Sequence, residues 1–446
     1  MTDTAPGADS RLRIIPRPDH NVSRSLISKN ALKVLYRLKD AGFQAFVVGG
    51  AVRDILLGMQ PKDFDIATDA HPDEVDALFR NSRLIGRRFR LAHVRFGRDV
   101  IEVATFRATA TEADTDAGHT AHDDEGRILR DNVYGSIDED VWRRDFTANA
   151  LYYNIADFSI WDYVGGFDDV RAQRLKLIGD PVQRLREDPV RMLRAARFAG
   201  KLGFTLDPAL EAAIPETREL LVNVPAARLF DEFLKLFQHG HSVRTYTLLR
   251  EYSLFRMLFP DTAAALDDDP DGRFQAFIEA GLGSTDSRIA DGRSVTPMFL
   301  LGVFLWEPVR RAAAQLTEQE GVTPAQALGA AAQDIVWRQQ SRISLPKRFS
   351  MPMREMLAMQ PRFEKTKGVR ALNLLEHRRF RAAYDFYLLR AEVGDADPDN
   401  AEFWTEVQTL PEEQRAERFD VKRKAPSAGA RRRSGRRRRR RKAGAS

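Results

Sequence analysis

The alternation of apolar and polar positions first predicts a strand, a turn, a short helix and a second strand in the N-terminal part of the chain. Residues 43–48 form an apolar run that ends at Gly49 and Gly50, a pattern typical of a buried strand followed by a turn into a helix. The second strand carries Asp63 and Asp65. Because side chains two residues apart point to the same face of a strand, we expect these two carboxylates to lie side by side.

Further elements follow in the same part of the chain. Ser28 is placed to cap one helix, and Pro72 opens another. A strand ending at Phe96 and a second strand over residues 101–107 come next. Glu102 in the second of these strands could join the two aspartates as a third carboxylate, or be an ordinary charge on an edge strand.

The rest of the chain has mainly helical spacing from about Thr205 onward. Residues 260–272 and 279–291 are polar enough to be expected as connections between helices. Between residues 362 and 390, basic and aromatic side chains alternate. Such a segment fits single-stranded RNA binding through backbone charge and base stacking, and it fits equally well a surface helix that packs through its aromatic residues.

Charge adds a basic tail to this picture. The chain has 446 residues and a net charge of +6, and residues 421–446 contain 13 Lys and Arg but no Asp or Glu. The preceding 420 residues therefore carry a net charge of −7. A polybasic block favours sequence-independent attraction to the phosphate backbone of nucleic acid, with a membrane surface or a solubilising terminus as alternatives.

Composition also excludes several classes of function and location. With no cysteine, the chain has no disulfide, no zinc–cysteine site and no thiol nucleophile. No run of about 18 apolar residues predicts a transmembrane segment, and residues 1–22 lack the apolar stretch of a secretory signal. We therefore expect a cytoplasmic protein.

The chemistry of the first motif points to phosphate and divalent cations. Two carboxylates on one strand face repel each other unless cations lie between them, and Mg²⁺ prefers oxygen ligands while keeping positions open for substrate phosphates. A pair of such ions can hold the attacking and leaving oxygens of a phosphoryl transfer. Gly49 and Gly50 let the backbone approach a ligand closely, and the helix that they open offers N–H groups to phosphate. An Asp-x-Asp at a solvated strand end is the alternative.

Two later segments add polar side chains with helical spacing. In a helix over residues 142–151, Asp145 and Asn149 would share a face beside Arg144, where they could bind ribose and phosphate or form a surface pair. The pattern over residues 184–201 predicts a second helix, whose N-cap is Asp188. Its polar face carries Arg191 and Arg194.

These motifs resemble those of the class II nucleotidyltransferase superfamily, which contains bacterial poly(A) polymerases and CCA-adding enzymes. The resemblance is carried by residues 49–54, 63–65, 143–149 and 187–191, and the basic segment over residues 86–94 resembles the poly(A) polymerases. It implies an α+β fold, with a small mixed-sheet head followed by an all-helical neck and body. The expected divisions are a flexible N-terminus (1–22), the catalytic head (23–175), the neck (176–240), the RNA-binding body (241–420) and a disordered Arg-rich tail (421–446).

The resemblance also implies an activity: template-independent addition of AMP from ATP to RNA 3′ ends in mRNA processing and decay, with partners in the RNA-decay machinery. Addition of CCA to tRNA is the alternative. The implied catalytic residues are Asp63, Asp65 and Asp145, with two Mg²⁺ held by Asp63 and Asp65 and with Glu102 as a further candidate ligand. The implied nucleotide-binding residues are Gly49, Gly50, Arg53, Arg144, Asp188, Arg191 and Arg194, while Arg87 and Arg88 would contact RNA or phosphate.

Overall fold

The structure is a computed structural model that describes residues 12–86, 90–108, 120–122, 128–131 and 133–421. It divides into two compact units, one ending at Leu258 and the other beginning at Phe259. The strands are β1 (Arg13–Ile15), β2 (Ala45–Val48), β3 (Asp65–Thr68), β4 (Ser82–Ile85), β5 (Leu91–Phe96), β6 (Asp99–Thr105), β7 (Thr120–His122), β8 (Ile128–Asp131), β9 (Leu151–Asn154), β10 (Ile160–Asp162), β11 (Arg174–Leu175) and β12 (Thr205–Leu206).

An eight-stranded sheet in the order β1-β10-β9-β2-β3-β6-β5-β4 forms the head. The β3–β6 pair is parallel, and the other neighbouring pairs are antiparallel. Helices of the first unit surround this sheet and continue beyond it: α1 (Lys29–Asp40), α2 (Gly50–Leu56), α3 (Pro72–Leu78), α4 (Ile137–Arg143), α5 (Gly166–Arg171), α6 (Pro181–Glu187), α7 (Val190–Leu202), α8 (Pro208–Thr217), α9 (Ala226–Phe237), α10 (Ser242–Glu251) and α11 (Phe255–Leu258).

Local signals in the sequence account for the ends of several of these helices. The Ser28 hydroxyl accepts a hydrogen bond from the Ala31 N–H at 3.1 Å, which confirms the predicted cap of α1. At α4, Ser136 and Glu139 form a reciprocal capping box. These caps satisfy backbone N–H groups that have no partner inside the helix.

The N-terminus differs from its expectation. Residues 1–22 are predicted to be loose, but Arg13–Ile15 form β1 and pair antiparallel with β10 at the sheet edge. A strand of three residues followed by Pro16 is too short for its alternation to be recognised in the sequence.

The second unit is helical throughout its described part, so the α+β class with a helical body is confirmed. Its helices are α12 (Pro260–Asp267), α13 (Arg273–Ala290), α14 (Pro297–Glu320), α15 (Pro324–Gln340), α16 (Lys347–Ala358), α17 (Gln360–Phe363), α18 (Val369–Leu372), α19 (Phe380–Glu392), α20 (Pro398–Thr409) and α21 (Glu412–Arg418). None of the helices in the described ranges combines the length and the apolar character needed to cross a membrane.

Two segments expected as connections are helices instead. Residues 260–272 contain α12, and residues 279–291 belong largely to α13. The composition of these segments is polar, but α13 buries an apolar stripe of Phe274, Phe277, Ile278 and Leu282. The stripe, and not the average polarity, decides the structure.

The aromatic residues between 362 and 390 pack inside the second unit. Phe380, Tyr384, Phe386 and Tyr387 are all less than 10% exposed. Phe363 stacks on Tyr387, with ring centroids 5.2 Å apart. The base-stacking interpretation of this segment is therefore wrong, because its rings form the core and are not available to RNA.

We expect Gly281→Ala to destabilise the second unit and Gly283→Ala to leave it unchanged or slightly more stable. A Cβ at Gly281 would lie 2.9 Å from both Cγ atoms of Val303, whereas a Cβ at Gly283 would meet nothing within 4 Å. Overpacking of this kind costs about 1–3 kcal/mol, while Gly→Ala in an open helical position gains up to about 1 kcal/mol. Urea unfolding of both variants measures the difference, and equal stabilities would contradict the packing argument.

Candidate active site

Two neighbouring interior strands of the sheet, β3 and β6, bring carboxylates together at a place that we call the carboxylate edge. The register of this parallel pair places Asp65 opposite Glu102, and Asp63 lies two residues before Asp65. Asp63, Asp65 and Glu102 are exposed, whereas Phe64 is only 7% exposed and packs into the protein. The predicted side-by-side arrangement of the aspartates thus extends to Glu102, although Asp63 itself precedes the strand.

This carboxylate edge is electrostatically unfavourable when it carries no cation. Although part of Asp65 reaches solvent, the protein atoms around its carboxyl displace water, and this desolvation raises the pKa of Asp65 to about 6. The charges of Glu102 and Asp63 raise it further, and Arg144 opposes them. His93 on β5 also approaches Glu102, with 3.3 Å between Nε2 and Oε1.

The donor set fits a magnesium ion that shares its coordination with a substrate. Asp63, Asp65 and Glu102 offer hard oxygen donors from an exposed edge, which leaves room for phosphate oxygens. Within the described ranges, no group of three or more His, Asp or Glu side chains is arranged to hold a metal ion by itself. The predicted roles of Asp63, Asp65 and Glu102 as metal ligands stay predictions.

The turn between β2 and α2 lies beside this edge. Val48, the last residue of β2, pairs with Asp65, and the next residue, Gly49, has φ = +70°. A Cβ at Gly49 would lie 3.4 Å from the backbone oxygen of Asn149 and 3.8 Å from Nη1 of Arg144. These are ordinary contact distances, so glycine is favoured here by the backbone conformation and not by lack of space.

Arg144 is held in place but keeps one nitrogen available. Its Nε donates to the Tyr152 hydroxyl at 2.7 Å and, like Nη2, to the Asp140 carboxylate. The Tyr152 hydroxyl itself donates to Asp140 at 2.7 Å. In the described part of the chain, Nη1 has no hydrogen-bond partner, and it points toward the turn at Gly49. This arrangement presents a fixed positive charge to an anion at the turn.

The structure does not contain the helix predicted around Asp145, but it does bring Asp145 and Asn149 together. Helix α4 ends at Arg143, so Asp145 and Asn149 do not share a helical face. A 3₁₀ turn over Thr147–Asn149 nevertheless brings the Asn149 amide to 3.2 Å from Asp145. The backbone leaves the helix because Phe146 bridges to Leu177, a long-range contact that the helical spacing does not reveal.

Asp145 is also bound by Arg194 from α7. Both Nε, at 2.8 Å, and Nη2 of Arg194 donate to Oδ2 of Asp145. Burial alone would raise the pKa of Asp145, but Arg194, Asn149 and the Phe146 N–H outweigh it and hold the pKa below its usual value. Asp145 is therefore ionised and immobilised, and Arg194 is the side chain that positions it.

Arg53 lies inside the protein and not at its surface. It is 3% exposed, its Nε donates to Asp54 at 2.9 Å, and its Nη1 donates to the Asn149 side chain. Lys201 approaches Asp54 at 3.6 Å from α7. The nucleotide contact of Arg53 stays a prediction, and the structure places its guanidinium where it holds Asn149.

Asp188 and Arg191 lie at the junction of α6 and α7. Asp188 accepts from the Val190 N–H at 3.2 Å and from Arg228 at 2.6 Å. The predicted N-cap is nevertheless displaced by one residue, because Asp188 is the C-cap of α6 and Pro189 is the N-cap of α7. Arg191 donates to Glu187 at 3.0 Å. The base-reading roles of Asp188 and Arg191 stay predictions, while Arg87, Arg88 and residues 422–446 lie outside the described residues.

Sequence reasoning missed the side chains that support the site. Asp140 precedes Arg144 by four residues, a spacing that indicates an ion pair along a helix and could have been recognised in the sequence. Tyr152 and Arg228 gave no such signal, because they reach their partners through the fold. The contact between Arg194 and Asp145 spans 49 positions, and neither residue alone indicates the other.

Comparison with known families identifies three segments. A family profile described as the Poly A polymerase head domain matches residues 45–176. A profile described as the probable RNA and SrmB-binding site of polymerase A matches residues 203–266. The third, described as the polymerase A arginine-rich C-terminus, matches residues 320–442. The three matches follow one another along the chain.

Individual relatives agree with these profiles. Poly(A) polymerase I of Escherichia coli O6:H1 is 47% identical over 386 residues, which are 86% of this chain and 83% of that protein. The CCA-adding enzyme of Bacillus subtilis is 40% identical over 228 residues, 51% of this chain and 55% of that protein. The solved structure of the Bacillus stearothermophilus CCA-adding enzyme in complex with CTP has a TM-score of 0.52 and 26% identity, covering 89% of this chain and 88% of that one.

We expect Asp65→Asn and Asp145→Asn to change stability in opposite directions at pH 7.5 in the presence of EDTA. Because folding raises the pKa of Asp65 from 3.8 to about 6, stability falls as pH rises through that window, and an amide avoids the loss. Because folding lowers the pKa of Asp145, its carboxylate stabilises the fold above its unfolded pKa, and its removal costs about 1–3 kcal/mol.

Urea unfolding at several pH values tests both signs. The advantage of Asp65→Asn over the parent protein should disappear as the pH is lowered below about 4, where Asp65 is protonated in both states. A parent protein that is more stable than Asp65→Asn at pH 7.5 would contradict the proposed repulsion.

Proposed function

The chain belongs to the poly(A) polymerase I family, and on that premise we propose that it adds AMP from ATP to RNA 3′ ends without a template, releasing pyrophosphate. The observation that carries this proposal is the extent of the similarity. Identity to a poly(A) polymerase I runs through 86% of the chain, whereas identity to a CCA-adding enzyme covers 51%. The protein is accordingly a polynucleotide adenylyltransferase.

The carboxylate edge supports the chemical step. Asp63 and Asp65 would hold magnesium, with Glu102 as a further candidate ligand. These residues would thereby place positive charge at the site, which would make the RNA 3′-hydroxyl a better nucleophile and stabilise the departing pyrophosphate. The raised pKa of Asp65 agrees with this role, because desolvation first, and the charges of Glu102 and Asp63 second, disfavour the carboxylate when no cation is bound.

The turn beside the edge supports binding of the ATP phosphates. Gly49 and Gly50 bring the backbone close to the ligand, and Arg144 points its unpartnered Nη1 toward the same turn. Because Asp140 and Tyr152 already hold the guanidinium, little conformational entropy is lost when a phosphate binds. Asp145, which Arg194 and Asn149 hold in place, would position ATP together with Arg144.

The neck residues would select adenine. Asp188 and Arg191 offer an acceptor and donors near the start of α7, a combination suited to the polar edge of a base. Arg228 and Glu187 hold them in place. Under this proposal the catalytic head covers residues 23–175, the neck covers residues 176–240 and the body covers residues 241–420.

Other elements would bring RNA to the site. The basic tail and the pair Arg87 and Arg88 supply charge for the phosphate backbone. The role in mRNA processing and decay, the partners in the RNA-decay machinery and the cytoplasmic location belong to this proposal as well.

The proposed reaction predicts that Asp63→Ala and Asp65→Ala abolish AMP transfer while RNA binding is retained. Both side chains are exposed at the strand edge, so their removal should leave the fold intact. Primer extension measures the activity, and filter binding of the same RNA measures affinity. Full activity in either variant would contradict the assignment of the carboxylate edge.

Extension of labelled RNA with one nucleotide at a time separates the two family activities. An oligo(A) primer and a tRNA lacking its 3′ end are incubated with magnesium and the purified protein. We expect long ladders with ATP alone on both substrates. Addition that requires CTP, stops after three residues and is confined to the tRNA would replace the proposed function with CCA addition.

A further inference from the structure

Trp337 on α15 is the most exposed large apolar side chain in the described part of the chain, at 73%. The apolar side chains of α15, among them Leu328, Ile335 and Val336, are buried. Trp337 lies on the opposite face of the helix and points to solvent. An indole in that position contributes nothing to the core and exposes a large apolar surface to water.

A second exposed apolar side chain, Met351, belongs to the neighbouring helix. Helices α15 and α16 form an antiparallel pair, and Arg354 of α16 donates to Gln333 of α15 at 3.1 Å. Gln333 is one turn before Trp337, so one turn back along α16 from Arg354 lies Met351, which is 56% exposed. Trp337 and Met351 therefore share one face of the pair, which we call the Trp337 surface.

The Trp337 surface is positively charged. Residues 334–355 contain five Arg and Lys and two carboxylates, Asp334 and Glu355. Glu355 is paired with Arg378 and Arg379. Arg338 pairs with Asp334 and Asp261, which neutralise it. By contrast, Arg342, Lys347 and Arg348 have no carboxylate partner among the residues that the structure describes, and Arg348 instead covers the ring of Phe349 at 4.8 Å.

We propose that the Trp337 surface binds single-stranded RNA, with a base stacked on Trp337 and the phosphates near Arg342, Lys347 and Arg348. Aromatic rings stack on any base, and basic side chains follow the backbone, which together give binding without sequence readout. A second copy of the chain would place the same unpaired cations against each other, so charge disfavours self-association through this surface. The proposal rests on the proposed function, since the growing product is itself single-stranded RNA.

Fluorescence tests the stacking directly. The full chain is titrated with oligo(A) in the absence of ATP and magnesium, so that binding is measured without catalysis. We expect quenching of tryptophan emission, and Trp337→Phe should lose most of the quenching while it retains nearly parental affinity. The chain has five tryptophans and none in the basic tail, so RNA held by the tail alone does not stack on an indole there.

Truncation of the ring tests its contribution to affinity. Trp337→Ala should weaken oligo(A) binding about tenfold, a typical effect of removing one stacked base contact. Val369→Ala is the control, because Val369 is likewise an exposed apolar side chain of the second unit, at 56%, but lies outside the Trp337 surface. Equal affinity of Trp337→Ala and the parent protein would overturn the proposal, as would undiminished quenching in Trp337→Phe.

Charge variants test the backbone contacts. Lys347→Gln with Arg348→Gln should reduce the dependence of log affinity on log salt by about 1.4, at about 0.7 for each phosphate contact with a single strand. Lys365→Gln with Arg370→Gln removes the same charge from other exposed positions of this unit and should have a smaller effect. Equal reductions in the two double variants would contradict a localised surface.

Two further measurements separate this proposal from its alternatives. If sedimentation shows that Trp337→Ala dissociates an oligomer without changing RNA affinity, the surface binds a second copy and the RNA proposal fails. Extension of a short primer by Trp337→Ala should continue, with shorter products at limiting protein. Absence of extension by the parent protein, with quenching intact, would instead remove the proposed function and leave the RNA surface.

Discussion

Repulsion among carboxylates at the edge of β3 and β6 is the constraint around which the head is built. The parallel register places Asp65 beside Glu102, and the backbone cannot separate them without breaking the strand pair. Desolvation and these neighbours raise the pKa of Asp65 to about 6. The sheet supplies the rigidity that this arrangement needs, since β2 and β3 are buried apart from Asp65. The carboxylates lower the stability of the fold at this edge, and the same arrangement favours the binding of cations and phosphates there.

The arginines around the site divide into two groups by what their nitrogens contact. Arg53 and Arg194 direct their guanidinium groups to protein partners, Asn149 and Asp145, and so fix these two polar side chains. Arg144 is held by Asp140 but keeps Nη1 toward the turn at Gly49. A charge that is already oriented loses little entropy on binding, so under the proposed function the network around Arg144 would contribute to affinity without touching the ligand.

The features that could be predicted from the sequence are those that depend on residues close together in the chain. The Ser28 cap and the shared edge of Asp63 and Asp65 follow from spacing alone. The strand pattern also allows Glu102 to lie at that edge, and its register with Asp65 places it there. The contact of Arg194 with Asp145 could not be predicted, because it depends on how α7 packs against the head. The helix expected through residues 142–151 failed for the same reason, since a bridge between Phe146 and Leu177 overrides its periodicity.

The two segments that combine basic and aromatic residues show why composition does not identify an RNA-binding surface. In α19, the rings of Phe380, Tyr384 and Tyr387 recur at helical spacing on the face that packs inward, so the aromatic stripe is itself the core. Trp337 instead lies on the face of α15 opposite the buried residues, so its side chain points outward. An aromatic residue is available to a base only when it is out of phase with the apolar stripe of its own helix. The position of an aromatic residue relative to the apolar stripe, which can be read from the sequence, therefore distinguishes a buried ring from an exposed one where composition does not.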